Sequence, residues 1–184
     1  MSSAPVFTIK YWGITGSMAA PLRPAEVAAK LCAAIAHLDQ QDRLAGLAAV
    51  AKNPAKLTEY LDQHLPFHLR STYGGNTTCV EIQTPDALII VDCGSGFREL
   101  GNLLERTWNA PNFSGKREAH VLVSHAHMDH TLAMPFFDPY MDPRNDFTLY
   151  GSSAVMKSFD AVLSPQAPLS RIYVPVTFDL FKAI

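Results

Sequence analysis

The sequence predicts an α/β layered domain, and two observations predict it. Strand-like and helix-like patterns alternate along the chain. In addition, the run Leu88-Ile89-Ile90-Val91 is continuously apolar, as in a strand covered on both faces. A length of 184 residues suits one domain with a sizeable core. Hydrophobic residues make up 48% and charged residues 17%, a globular and not a disordered composition.

The elements follow in order. Residues 6–12 alternate, with Phe7, Ile9 and Tyr11 on one side, which predicts a half-buried strand. It ends in Gly13-Ile14-Thr15-Gly16-Ser17, where two glycines allow a tight turn. From Pro24 to Leu65 the pattern changes. Val27, Leu31, Ile35 and Leu38 fall at helical spacing, and Leu57, Leu61 and Leu65 repeat it after Pro54. Two or three short helices inserted between strands are expected over 24–65, forming a lid or a homodimer contact. Strands are expected again over 77–83 and 87–92, with Pro85-Asp86 as the turn between them. After Gly94-Ser95-Gly96, the residues Phe97, Leu100, Leu103, Leu104 and Trp108 outline a helix. The remaining expectations are a strand over 119–124, a strand over 147–150, a helix over 154–163 and a last strand over 172–178.

Several function classes are disfavoured. The net charge of -2 and pI near 6.4 give no electrostatic footprint for duplex binding. Neither a basic run nor an aromatic-basic platform is visible, so no extensive nucleic-acid surface is expected. No apolar run approaches the roughly 20 residues that cross a bilayer, and no secretory signal opens the chain. Cys32, Cys79 and Cys93 are odd in number and widely spaced, which argues for a reducing compartment and hence the cytoplasm. Cys79 and Cys93 read as small buried hydrophobes.

The strongest signal is His125-Ala126-His127-Met128-Asp129-His130, which places three of the chain's 7 histidines directly after a predicted strand. Imidazole and carboxylate donors suit zinc, manganese or iron. His125 and His127 lie two apart, so a tightly turned segment can bring both to one ion. Asp129 and His130 can then face a second ion beside it. The competing reading is a polar surface loop. Against it, the cluster sits where a buried strand ends, which is where α/β folds place their sites.

The pattern His125-x-His127-x-Asp129-His130 resembles the signature of the metallo-β-lactamase superfamily. Upstream, Gly13 to Ser17 resembles that fold's first glycine turn. Tyr73-Gly74-Gly75-Asn76-Thr77-Thr78-Cys79 and Val91-Asp92-Cys93-Gly94-Ser95-Gly96 resemble its next two motifs. Pro135-Phe136-Phe137 and Phe147-Thr148-Leu149-Tyr150-Gly151 resemble the segment after the metal loop. The likeness points to the branch of transfer-RNA 3′-processing endonucleases and phosphodiesterases acting on small phosphodiesters.

The resemblance implies a metallo-β-lactamase-like αββα sandwich, of which residues 1–184 hold about one half, incomplete on the C-terminal side. It implies two divalent transition-metal ions, zinc first, with manganese or iron as alternatives. His125 and His127 would bind the first ion and Asp129 and His130 the second, the pair activating a shared water. Asp129 would also orient the attacking oxygen, and Asp92 would fix the metal loop through hydrogen bonds. The superfamily completes its site with a histidine, a bridging aspartate and a final histidine on later strands. After His130 this chain has no histidine, and none of Asp138, Asp142, Asp146, Asp160 and Asp179 matches the bridging role. A fragment of a longer product is the preferred explanation. A second polypeptide supplying the ligands, or a half-site protein, are the alternatives.

Gly16, Ser17 and Asn76 are candidates for a substrate-pocket wall, with tight-turn chemistry as the competing reading. The expected function is a two-metal phosphodiesterase acting on a small nucleotide-like phosphodiester. The alternatives are a hydrolase of a lactone, thioester or β-lactam on the same fold, or a non-catalytic metal-binding module.

Overall fold

The computed structural model describes residues 7–72, 74–167 and 177–183. These separate into two compact units, Pro21–Tyr73 and Met1–Ala20 with Gly74–Ile184.

The smaller unit is helical: α1 (Pro24–Gln40), α2 (Leu44–Val50), α3 (Pro54–His64) and α4 (Phe67–Arg70). Proline opens α1 and α3, at the position where its missing N–H costs nothing and its fixed φ suits a helix. Asn53 caps α3 by accepting a hydrogen bond from Lys56 N–H. Leu38 and Leu65 are buried. The Tyr60 hydroxyl donates to the Arg43 carbonyl at 2.8 Å, tying α3 to the start of α2. The sequence pattern showed α1 and α3 but not α2, whose Leu-Ala-Gly-Leu-Ala-Ala-Val carries no polar face to set a period. Val27, Leu31 and Ile35, at the helical spacing expected with Leu38, are 44%, 61% and 56% exposed.

The larger unit is built on one sheet of five strands: β1 (Thr8–Gly13), β2 (Cys79–Gln83), β3 (Leu88–Val91), β4 (Glu118–Val123) and β5 (Asp146–Gly151), in that spatial order. The first three strands pair antiparallel. β3 to β5 run parallel. Thr84 closes the β2–β3 hairpin, its hydroxyl oxygen accepting the Ala87 N–H at 2.9 Å. The β3-to-β4 crossover carries α5 (Ser95–Trp108), as a parallel connection requires. Phe97, Leu100, Leu104 and Trp108 form its buried stripe. α6 (Met128–Thr131) follows β4, and α7 (Ser153–Leu163) follows β5. The observed class is therefore the mixed α/β fold expected. Of the last expected strand, residues 172–176 lie outside the described residues, and Phe178–Leu180 is a 3₁₀ turn.

One core serves the sheet and its helices. Ile90, Val121, Ala119 and Phe147 of the sheet meet Phe97 and Leu100 of α5 and Val155, Phe159 and Leu163 of α7. Phe97 stacks on Phe137 with ring centroids 3.8 Å apart. The other face of the sheet differs from expectation. Register places Tyr11, Val80, Val91, Leu122 and Tyr150 side by side across all five strands. Tyr11, Leu122 and Tyr150 are 64%, 39% and 47% exposed. β1 is thus an open-faced edge strand and not half buried, and β3 is covered fully on one face only. No layer lies over this second face among the described residues.

Gly94 joins β3 to α5 at a point of close approach. A methyl group there would overlap the backbone carbonyls of Asp129 and Thr78 and the Thr77 hydroxyl. The turn after β3 and the start of α6 can meet this closely only without a side chain between them. Gly94→Ala is expected to cost about 1–3 kcal/mol of unfolding free energy, measured by chemical denaturation. Tyr140 offers the opposite case. Its hydroxyl is fully buried and has no hydrogen-bond partner among the described residues. Tyr140→Phe is therefore expected to leave the melting temperature unchanged or raise it, because no paired group is lost.

Candidate metal centre

The candidate site lies at the carboxyl ends of β3 and β4. β4 stops at Val123, the next four residues run without regular structure, and α6 starts after His127. The histidine segment is pinned to the end of β3 by backbone hydrogen bonds. Cys93 N–H donates to the His130 carbonyl at 2.7 Å, and Ala133 N–H donates to the Cys93 carbonyl at 3.0 Å. Cys93 itself is fully buried, and burial pushes its thiol far above the ordinary range. Cys79 is buried and shifted the same way. Both are core residues, as the sequence suggested.

Asp92 organises the loop. It is 3% exposed and holds a left-handed backbone, φ 66°, which costs an L-residue roughly 1–2 kcal/mol. That conformation turns its carboxylate across the end of β4. Oδ1 accepts the Ser124 N–H at 2.8 Å and Oδ2 faces His130 Nδ1 at 2.8 Å. The Ser124 hydroxyl lies 2.8 and 3.0 Å from the two carboxylate oxygens. A carboxylate only accepts hydrogen bonds, so His130 Nδ1 carries a proton toward Asp92. This is the arrangement by which a carboxylate fixes a metal-ligating imidazole.

The three imidazoles are gathered together. The His125 ring centroid lies 4.5 Å from that of His127 and 4.1 Å from that of His130. His130 Nε2 is 3.4 Å from Asp129 Oδ2. The same Asp129 oxygen accepts the Ser17 N–H at 2.8 Å. Ser17 supplies that donor from a left-handed backbone, φ 64°. The Ser17 hydrogen bond, first among the causes, holds the Asp129 carboxyl below the usual aspartate value of 3.8. The stabilisation from this contact is present in full above that ordinary value and is lost as the pH falls through the lowered one. A carbon-13 carboxyl titration of the metal-free protein should place Asp129 below that ordinary aspartate value.

The remaining candidate residues occupy different places. Gly16 is exposed, with open space around the position a side chain would take. Ser17 reaches the site through its backbone. Asn76 is a structural tie: its carbonyl accepts from Ile14 N–H and Thr15 N–H, and its side-chain oxygen accepts the Ser95 hydroxyl at 2.9 Å. Thr77 and Ser95 complete that tie, exchanging backbone N–H and hydroxyl contacts at 2.7 and 2.9 Å. A separate apolar groove is lined by the alternate loop residues Ala126 and Met128 with Leu132, Pro135 and Phe136.

The donor set suits a borderline transition-metal ion. As the side chains stand, however, no three His, Cys, Asp or Glu groups among the described residues are arranged to hold an ion. Downstream, Asp142 is committed to Arg144, whose guanidinium holds its carboxyl down to about 2. Asp179 accepts the Thr177 hydroxyl.

Similarity to known proteins bears on the same segment. Residues 72–140 match the metallo-beta-lactamase superfamily. That stretch runs from the second glycine motif through Asp92 and the histidine cluster to Tyr140, so the superfamily likeness covers every candidate ligand. The sheet and its helices are consistent with a partial metallo-β-lactamase-like fold. The chain is also similar to an RNase J-like protein of Methanocaldococcus jannaschii, 35% identical over 60 residues, which are 33% of this chain and 12% of that protein. The chain thus spans a small part of that relative's length. No solved structure matches the chain.

Sequence reasoning missed Ser124. It stands immediately before His125, yet its importance comes from Asp92, 32 positions earlier, and no local pattern records that contact. Among the described residues no helix is long and apolar enough to cross a membrane.

Proposed function

We propose that this chain carries the metal-binding part of a metal-dependent hydrolase that cleaves phosphodiesters, with a small nucleotide-like substrate. The observation that carries the proposal is the clustering of His125, His127, Asp129 and His130 over Asp92. The superfamily match over 72–140 supports hydrolysis, and the RNase J-like relative supports phosphodiester chemistry. The weak net charge of -2 supports a small substrate over a long nucleic acid.

His125, His127 and His130 would hold the ion or ions through imidazole nitrogen, with Asp129 as the carboxylate donor. Zinc is the proposed metal, manganese and iron the alternatives. Bound metal would supply Lewis acidity and an activated water at neutral pH. Asp129, kept ionised by Ser17 N–H, can accept a hydrogen bond from the attacking water and orient it. Asp92 keeps His130 in the tautomer that binds. The helical unit, with Val27, Leu31 and Ile35 exposed along α1, is proposed as a contact between two copies of the chain.

The test offers the purified protein, supplemented with zinc or manganese, bis(p-nitrophenyl) phosphate, a chromogenic β-lactam and a thioester. Turnover of the phosphodiester, abolished by a chelator, is expected. Turnover of the lactam or thioester alone would overturn the substrate assignment.

A further inference from the structure

We infer that Ser124 is a positioning residue that sets the tautomer of His125, relaying the Asp92 carboxylate to a second imidazole. The inference rests on the metal-site reading above for its purpose but not for its test.

The geometry leaves little freedom. Ser124 Oγ lies 2.8 Å from Asp92 Oδ1, 3.0 Å from Asp92 Oδ2 and 3.0 Å from His125 Nδ1. A serine hydroxyl has one proton to give, and an ionised carboxylate has none. Asp92 is buried and both of its oxygens face Ser124, so the hydroxyl proton points to the carboxylate. The hydroxyl oxygen is then an acceptor toward His125, whose Nδ1 must carry the hydrogen. Its Nε2 lone pair is left free. The opposite tautomer would turn the hydroxyl proton toward His125 and leave two bare oxygens facing each other across 2.8 Å.

One carboxylate therefore orients two imidazoles, His130 directly at Nδ1 and His125 through the hydroxyl. The Ser124 N–H bond to Asp92 is independent of the side chain, so Ser124→Ala removes the relay while leaving the loop tied down. Threonine keeps a hydroxyl on the same carbon and can restore it.

The test is a long-range proton–nitrogen correlation spectrum of the metal-free, nitrogen-15-labelled protein at pH about 8.5, where free imidazoles are neutral. In the wild type, His125 and His130 should both show a pyrrole-type Nδ1 and a pyridine-type Nε2. In Ser124→Ala, His125 should move toward the Nε2–H form, His130 should stay, and Ser124→Thr should return the wild-type pattern. Chelator competition should show zinc affinity lowered about 10–100-fold in Ser124→Ala and recovered in Ser124→Thr. A wild-type His125 protonated on Nε2, or a His125 signal unmoved by Ser124→Ala, would overturn the inference. Because the tautomer is read without metal, failure of the protein to bind zinc would refute the functional proposal and leave this result standing.

Discussion

Asp92→Ala is expected to lower unfolding free energy by about 2–4 kcal/mol, because it strands three donors that now end on one buried carboxylate. Those donors are Ser124 N–H, the Ser124 hydroxyl and His130 Nδ1–H. Two companion variants separate the causes. Asp92→Gly removes the same carboxylate but relieves the left-handed backbone at φ 66°. It should be more stable than Asp92→Ala by roughly 1 kcal/mol. Asp92→Asn keeps one oxygen for Ser124 but presents an amide NH₂ to His130 Nδ1–H, two donors facing each other. His130 can answer by moving its proton to Nε2, the atom proposed to bind metal. Asp92→Asn should therefore lose little stability but about 10–100-fold in zinc affinity. Equal stability of the wild type and Asp92→Ala by urea denaturation would contradict this picture.

Asp129 is expected to show the reverse balance. Its carboxylate is held by the backbone N–H of Ser17 and faces His130 Nε2. Asp129→Ala should change stability by less than about 1 kcal/mol. Turnover of bis(p-nitrophenyl) phosphate should fall about 10²–10⁴-fold, the range for losing a group that handles a proton in the reaction. Asp129→Asn retains an acceptor for Ser17 and should fall as far, since it loses the charge proposed to serve metal and water. Rates at saturating metal, with circular dichroism as the control for folding, check both variants. A variant as active as the wild type would remove Asp129 from the site.

The contrast between these two aspartates shows what could be read from the sequence. The histidine segment was legible because its candidate ligands lie within six consecutive positions, His125 to His130. β3 and α5 were legible because Leu88–Val91 and the Phe97, Leu100, Leu104 and Trp108 stripe carry their own periods. The hydrogen bonds that hold the site were not. Ser124 meets Asp92 across 32 positions, and Ser17 meets Asp129 across 112. Those contacts exist only once β1, β3 and β4 lie in one sheet. Burial failed where it depended on a neighbour. Ile9 and Tyr11 alternate as a buried face would, yet they lie on the face of the sheet that no described layer covers. Val27, Leu31 and Ile35 keep the expected helical period on α1 and are exposed there.

Metal content decides whether the His125 to His130 segment binds a transition-metal ion. Elemental analysis would compare the wild-type protein with His125→Ala/His127→Ala, both equilibrated with zinc and passed through a desalting column. At least one zinc ion per chain is expected in the wild type, and its loss in the double variant with the fold intact. Only traces of metal in the wild type, or equal content in both proteins, would contradict it.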